Sequence, residues 1–366
     1  MQIERENRLL RPSHRFPNAI AIRFMAALAL GACLGGGALA AEGGKPPSDK
    51  EAIDVNIGGI PGLSQMFYPY VAQQKHFFEK HGIKPNMVNI QTGPGLVVAL
   101  LGGSSDISMA GPQLLWPPIK KGEPIVVIAG AIKLNYLLVT CGNTPVPHAH
   151  EPYPKNLQDL RGRSIGAIGL GTQTMNMAES LARAAGFVPG KDVQLVAVGG
   201  PATMVPACKQ QKVDFIIAPP PLEELLGTEN KDYVVVASAT DPKTTGDAFG
   251  GLFADTYATT ASYLKDHRAQ VSGFCAAMVD AQAFSTNPAN LAEVAKLYSD
   301  YTQIPLDKAT SFWPRHEDEL LIPVTRTAWS RQAAGVKGDL HTYVPDYDTH
   351  VDKVCTEIIE KNAGVK

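Results

Sequence analysis

The chain has 366 residues, a formal net charge of −2 and a charged fraction of 19%. So even a balance leaves no concentrated basic face and excludes nucleic acid as a partner. The length suggests about two domains, and no apolar run reaches the roughly 18–20 uncharged residues of a membrane span.

Residues 1–40 read as a signal peptide. Arg8, Arg11, Arg15 and Arg23 make a basic start, the stretch from Phe24 to Leu34 is short and apolar, and Ala38-Leu39-Ala40 is a small-x-small cleavage site. The mature chain then begins near Ala41. A second reading takes Leu30-Gly31-Ala32-Cys33 as a lipobox, which would leave a lipid anchor on Cys33. Either way the mature protein is expected outside the cytoplasm, in the periplasm. Four cysteines follow the cleavage site: Cys141, Cys208, Cys275 and Cys355. An oxidising compartment permits bridges between them, but sequence does not choose among the three full pairings. Their dispersed spacing carries no metal or redox motif and favours separate core thiols with at most one bridge.

Short apolar runs then alternate with helical patterns. Strands are expected at 54–60, 85–90 and 106–110, with helices at 64–81, 96–101 and 114–121; Gly82 can end the first helix. The long apolar run 124–139 reads as one strand leaving the first lobe. The Pro-rich segment 143–159 reads as a surface crossover. The same order returns with strands at 164–168, 193–198, 213–218 and 233–239. Helices fall at 172–185, after Gly200-Pro201, and at 222–227. Beyond Ala239 the chain is mainly helical, with helices at 269–283 and 291–301 and a return strand to the first lobe.

The two passages match at an offset of roughly 108 positions. Gly93-Pro94 answers Gly200-Pro201, and Asp106 answers Asp214. Alternating strand and helix implies an α/β protein with mainly parallel sheets flanked by helices. The expected layout is lobe 1 from 41–142, lobe 2 from 143–240, and C-terminal helices of 241–366 packed on lobe 1, with a cleft between the lobes.

"GAIGLGTQTMNMAES", from Gly166 to Ser180, looks like a dinucleotide loop. The third glycine position is Thr174, however, and no carboxylate ends the next strand, so a nucleotide cofactor is excluded. What survives is a strand-to-helix corner whose free N–H groups and helix dipole favour a polar or singly anionic head group. Thr172, Gln173 and Thr174 supply side-chain partners there, although a threonine can also simply cap its own helix. "GGIPGLSQMFY" is the equivalent corner of the first lobe, with Leu63, Ser64 and Gln65 in the turn. Gln113 joins the same rim, and Tyr136 and Trp116 are candidate walls. With no Lys or Arg in either corner, a multiply charged anion is disfavoured. No nucleophile elbow, cysteine nucleophile or spaced metal cluster is present, so neither catalysis, a metal nor a cofactor is expected. His148-Ala149-His150-Glu151 reads as solvated loop.

At this point the chain resembles the solute-binding proteins of ABC importers, in the sulfonate-, nitrate- and thiamine-pyrimidine-binding (NMT1/THI5-like) branch. The resemblance rests on "VNIGGIPGLSQMFYPYVAQQKHFFEKHGI", "LLGGSSDISMAG", "NLQDLRGRSIGAIGLGTQT", "QQKVDFIIAPP" and "FSTNPANLAEVAKLYSDYTQIP". It implies a type II periplasmic-binding-protein fold: two α/β lobes, two crossovers, and closure on a ligand. It carries ligand contact to Leu63, Ser64, Gln65, Gln113, Thr172, Gln173 and Thr174. The implied function is capture of a small neutral or singly charged organic solute (a sulfonate, carboxylate or pyrimidine). The implied partners are a membrane permease and its ATPase, and the protein is expected to be monomeric. A sensory protein presenting its ligand to a receptor kinase is the alternative, and a THI5-like enzyme of pyrimidine synthesis a weaker one. The sequence departs from the family pattern at Gln211-Lys212-Val213-Asp214 and at Pro219-Pro220-Pro221.

Overall fold

A computed structural model describes residues 52–227, 233–335 and 343–362. The expected signal segment, its cleavage site and Cys33 lie outside them. Among the described residues eleven strands make two sheets, all within one unit. They are β1 Ile53–Gly59, β2 Ile83–Asn89, β3 Ile107–Ala110, β4 Ile125–Lys133, β5 Leu137–Thr140, β6 Ser164–Ala167, β7 Gln194–Ala197, β8 Phe215–Ala218, β9 Val235–Ser238, β10 Phe253–Thr260 and β11 Leu320–Ile322. The first sheet has the order β11-β4-β10-β3-β1-β2 and the second β7-β6-β8-β5-β9.

The repeated plan is visible in both topology and chemistry. β1 pairs in parallel with β2 and β3, and β6 pairs in parallel with β7 and β8. In the first lobe Asp106 Oδ2 accepts the backbone N–H of Asn56 at 2.8 Å; in the second, Asp214 Oδ2 accepts that of Ser164 at the same distance. In each lobe the third strand therefore begins with a carboxylate that satisfies a backbone donor of the first strand, fifty residues earlier. The arrangement is the expected α/β one, but the sheets are mixed. An antiparallel strand is inserted in each: β10 between β3 and β4, and β5 between β8 and β9.

Those inserted strands explain where the chain changes lobe. The apolar run 124–139 is two strands rather than one, because Leu134-Asn135-Tyr136 interrupts it and β5 belongs to the second sheet. The passage between lobes therefore lies at 134–136, and the polar segment 143–159 falls after β5, inside the second lobe. The return passage is 239–252, leading into β10. The two passages are bonded to each other, Leu134 N–H to Leu252 carbonyl at 2.8 Å and Ala239 N–H to Tyr136 carbonyl at 2.9 Å. The result is a double-stranded hinge.

The helical reading of 64–81 needs a second revision. A 3-10 turn, Ser64–Met66, leads into the helix Phe67–Gln74, and His76 at φ 57° separates it from Phe77–Lys80. Gly82, at φ 73°, takes the left-handed position after the second piece. The C-terminal part carries the 18-residue helix Arg268–Ser285, which packs on Phe67–Gln74 and on Val354–Asn362, so it belongs to the first lobe.

All four cysteines are paired, which corrects the expectation of separate thiols. Cys141 joins Cys208 in the second lobe, tying the end of β5 to the helix Pro201–Lys209. Cys275 joins Cys355 in the first, tying Arg268–Ser285 to Val354–Asn362. Sequence spacing could not show this, because each partner arrives through tertiary packing across 67 or 80 residues. Neither bridge crosses the hinge.

Candidate functional site

Two strand-to-helix corners face each other across the hinge. In the first, Gly62 at φ 79° lets the chain turn after β1. The Tyr301 hydroxyl holds that turn, accepting from Gly62 N–H and donating to Leu63 carbonyl, both at 3.1 Å. In the second, Gly171 at φ 74° precedes Thr172, the N-cap of the helix Gln173–Ala184. Thr172 Oγ1 accepts from Met175 N–H at 3.4 Å and donates to Gly169 carbonyl at 2.6 Å. Thr174 Oγ1 accepts from Ile168 N–H at 2.9 Å and lies 2.8 Å from Thr172 Oγ1. Both threonine protons are thus committed: Thr174 donates to Thr172, and Thr172 to Gly169.

The corners interlock through small residues. A Cβ placed on Gly93 would lie 2.8 Å from Thr172 Cγ2, one on Gly171 would lie 3.3 Å from Leu114 Cδ2, and one on Gly200 would lie 3.4 Å from Ile60 Cγ2. Ser64 N–H donates to Pro220 carbonyl across the lobes at 3.3 Å. Arg315 Nη2 reaches Glu224 Oε1 at 3.1 Å, again lobe to lobe. The triple proline is therefore a closing surface for the first corner.

Between the corners lies a space of about 20 Å³, room for roughly one water. Of the residues expected at a ligand, Leu63, Gln113, Tyr136, Thr172, Gln173 and Thr174 line it together. Ser64 does not; its hydroxyl sits 2.5 Å from that of Tyr298 in the aromatic cluster behind the corner. Gln65 stands one layer back. Trp116 is fully buried and packs on Trp329 at a ring distance of 5.2 Å, so it is core and not a wall.

The sequence reading missed Asp255, which lines the same space. It lies on β10, where the register against β4 slips on both sides of it. Such a bulge re-aims a side chain that regular alternation would place elsewhere. Gln65 Nε2 donates to Asp255 Oδ2 at 2.7 Å, and the Tyr136 hydroxyl donates to the same oxygen at 3.5 Å. Burial pushes the Asp255 carboxyl up to about 7, against the pull of those two donors. Burial also raises the Tyr136 phenol well above its ordinary value. The available signal was a lone carboxylate in the apolar run Phe253-Ala254-Asp255-Thr256-Tyr257 with no basic neighbour. Among the described residues no cluster of three or more His, Cys, Asp or Glu could hold a metal, and no helix is long and apolar enough to cross a membrane.

Comparison with known proteins identifies the family and the fold. The model of the family described as NMT1/THI5 like matches residues 64–290. A Brucella abortus protein described as a binding protein is 28% identical over 162 residues, 44% of this chain and 46% of its own length. The chain thus spans about half the length of the curated relatives it matches. Among solved structures, a Bordetella bronchiseptica protein superposes with a TM-score of 0.69 at 20% identity, covering 86% of this chain and 99% of that one. The periplasmic aliphatic sulphonate binding protein SsuA of Escherichia coli gives 0.59 at 20% identity, covering 77% and 89%. The periplasmic nitrate-binding protein NrtA of Synechocystis gives 0.63 at 14% identity, covering 86% and 90%. At these identities the structural likeness speaks for the fold, and the family match spans well over half of the chain. The chain belongs to the NMT1/THI5-like family and has the fold of the periplasmic binding proteins of ABC-type importers.

Proposed function

We propose that this protein is the exported solute-capturing component of an ABC importer and has no catalytic role of its own. The observation that carries this reading is the pair of matched corners facing each other across a hinge of two bonded passages. Such an architecture opens and closes as two rigid bodies. The ligand contacts are assigned to Leu63, Gln113, Tyr136, Thr172, Gln173 and Thr174, with Asp255 added. Ser64 and Gln65 hold the first corner in place. Two disulfides, one per lobe, support folding in an oxidising compartment.

The space between the corners holds little more than a water, so a solute enters through hinge opening. Its differential affinity for the closed state drives closure. Small-angle scattering with isothermal titration across a panel of small organic solutes tests the reading. A binding solute that compacts the protein is the expected result. Turnover of a bound solute, or absence of both binding and compaction across the panel, would overturn it.

A further inference from the structure

We propose that Asp255 selects the charge of the solute, which presents a protonated amine or amidinium group to Asp255 Oδ1. This rests on the capture reading above and narrows it to a class of ligand. It departs from the anionic head group that the helix corner alone suggests.

Asp255 is the one charged side chain among the residues lining the space. Both of its hydrogen bonds fall on Oδ2, from neutral donors, which leaves Oδ1 for another. No ion pair among the described residues involves it. An asparagine would accept the same two hydrogen bonds through its oxygen, without the cost of burying an unpaired carboxylate. A carboxylate at this position therefore calls for a cation, and none of the surrounding elements supplies one. The first corner presents Gln65, the hinge Tyr136, the second corner Thr172 to Thr174, the helix Pro112–Lys120 Gln113, and β10 itself Tyr257, whose hydroxyl donates to Gln65 carbonyl.

The threonine hydroxyls offer an anion no proton: that of Thr172 goes to Gly169 carbonyl and that of Thr174 to Thr172. Gln65 Oε1 is buried without a hydrogen-bond partner, a second acceptor with no donor. Apart from the amides of Gln113 and Gln173, whose oxygens can accept from a cation, the remaining lining is apolar, including Leu63, Leu96, Met109 and Ile168. The site therefore suits an apolar body with a cationic head.

The test uses probes matched in body and opposed in head group: benzamidine against benzoate, and butylammonium against butanesulfonate. Each is measured by titration calorimetry on the mature chain and on D255N, with scattering to follow compaction. Preferential binding of the cationic member, weakened at least 30-fold in D255N, is the expected result. Because the substitution could unfold the lobe, wild-type protein is also titrated with benzamidine across pH. The probe stays protonated throughout, and Tyr136 and Tyr257 stay neutral because burial raises both. Affinity should then fall about tenfold per pH unit once Asp255 is protonated. Tighter binding of benzoate or butanesulfonate, or pH-independent benzamidine binding, overturns the inference and leaves capture standing. No binding and no compaction with any of the four overturns the inference and removes support from capture as well.

Discussion

Gly93 of the first lobe faces Thr172 of the second so closely that a Cβ on Gly93 would stand 2.8 Å from Thr172 Cγ2. The same Cβ would meet Leu114 Cδ1 at 2.9 Å, so the contact has no slack on either side. A Gly93→Ala substitution should prop the jaws apart. Overpacking of this kind costs about 1–3 kcal/mol, here charged to the closed state alone, which predicts a loss of roughly 5- to 150-fold in solute affinity. Thr172→Ser keeps the capping hydroxyl and removes Cγ2, so the double variant should recover part of the loss. Titration of the four proteins of this cycle, with scattering to report closure, checks the claim; an unchanged affinity in Gly93→Ala would remove the interlocking corners from the closing mechanism.

Much of this architecture was legible in the sequence. The internal repeat marked Asp106 and Asp214 as equivalent, and both turn out to secure the first strand of their lobe. The corners were legible because Gly62, Gly171 and the residues after them carry local turn and cap chemistry. The hinge was not, since Leu134, Asn135 and Tyr136 interrupt an apolar run without any glycine or proline to mark the break. Asp255 escaped for a related reason: a bulge inside a buried strand is set by pairing with β4, which periodicity along one strand cannot show. The disulfides escaped because thiol pairing depends on which helices pack together.

The two bridges stabilise each lobe separately. Removing a native disulfide commonly costs about 2–5 kcal/mol, and the bridged residues here are separated by 67 and 80 positions. Cys141→Ser with Cys208→Ser should destabilise the second lobe, and Cys275→Ser with Cys355→Ser the first. Because neither bridge spans the hinge, solute affinity of the folded variants should stay within about twofold. Denaturant melts followed by titration at a temperature where the variants are folded separate the two effects. A large affinity change with unaltered stability would place a bridge in the closing motion.

The ion pair between Arg315 and Glu224 crosses the cleft, with the arginine side chain 60% exposed and the glutamate 14%. Such solvent-facing pairs contribute about 0–1 kcal/mol and weaken with salt. Arg315→Ala should therefore raise the solute dissociation rate by no more than about fivefold. That increase should shrink at high ionic strength. Stopped-flow dissociation in low and high salt measures it, and a salt-independent effect would point instead to the lost contact of the guanidinium with Phe312, whose ring centre lies 5.9 Å from Arg315 Cζ.

Stability should fall as pH rises from about 4 to about 7 in the protein without solute. Burial pushes the carboxyl of Asp255 up to about 7, and burial likewise pushes Glu223 up to about 7. Each group binds its proton more tightly folded than unfolded. Its contribution is fully present below the ordinary carboxylate range and is lost between about pH 4 and pH 7, by on the order of 3 kcal/mol for each group. Asp214 and Asp280 act in the opposite sense, since their hydrogen bonds and basic neighbours hold their carboxyls below the ordinary value. Their stabilisation is lost only at more acid pH. A stability maximum near about pH 4 follows, at the ordinary carboxylate range, measurable by denaturant unfolding from about pH 3 to 8. D255N and E223Q should each flatten the decline toward neutrality. A cationic solute should flatten it in the wild type too, because it stabilises ionised Asp255 and draws its titration down, whereas an anionic solute should steepen the decline.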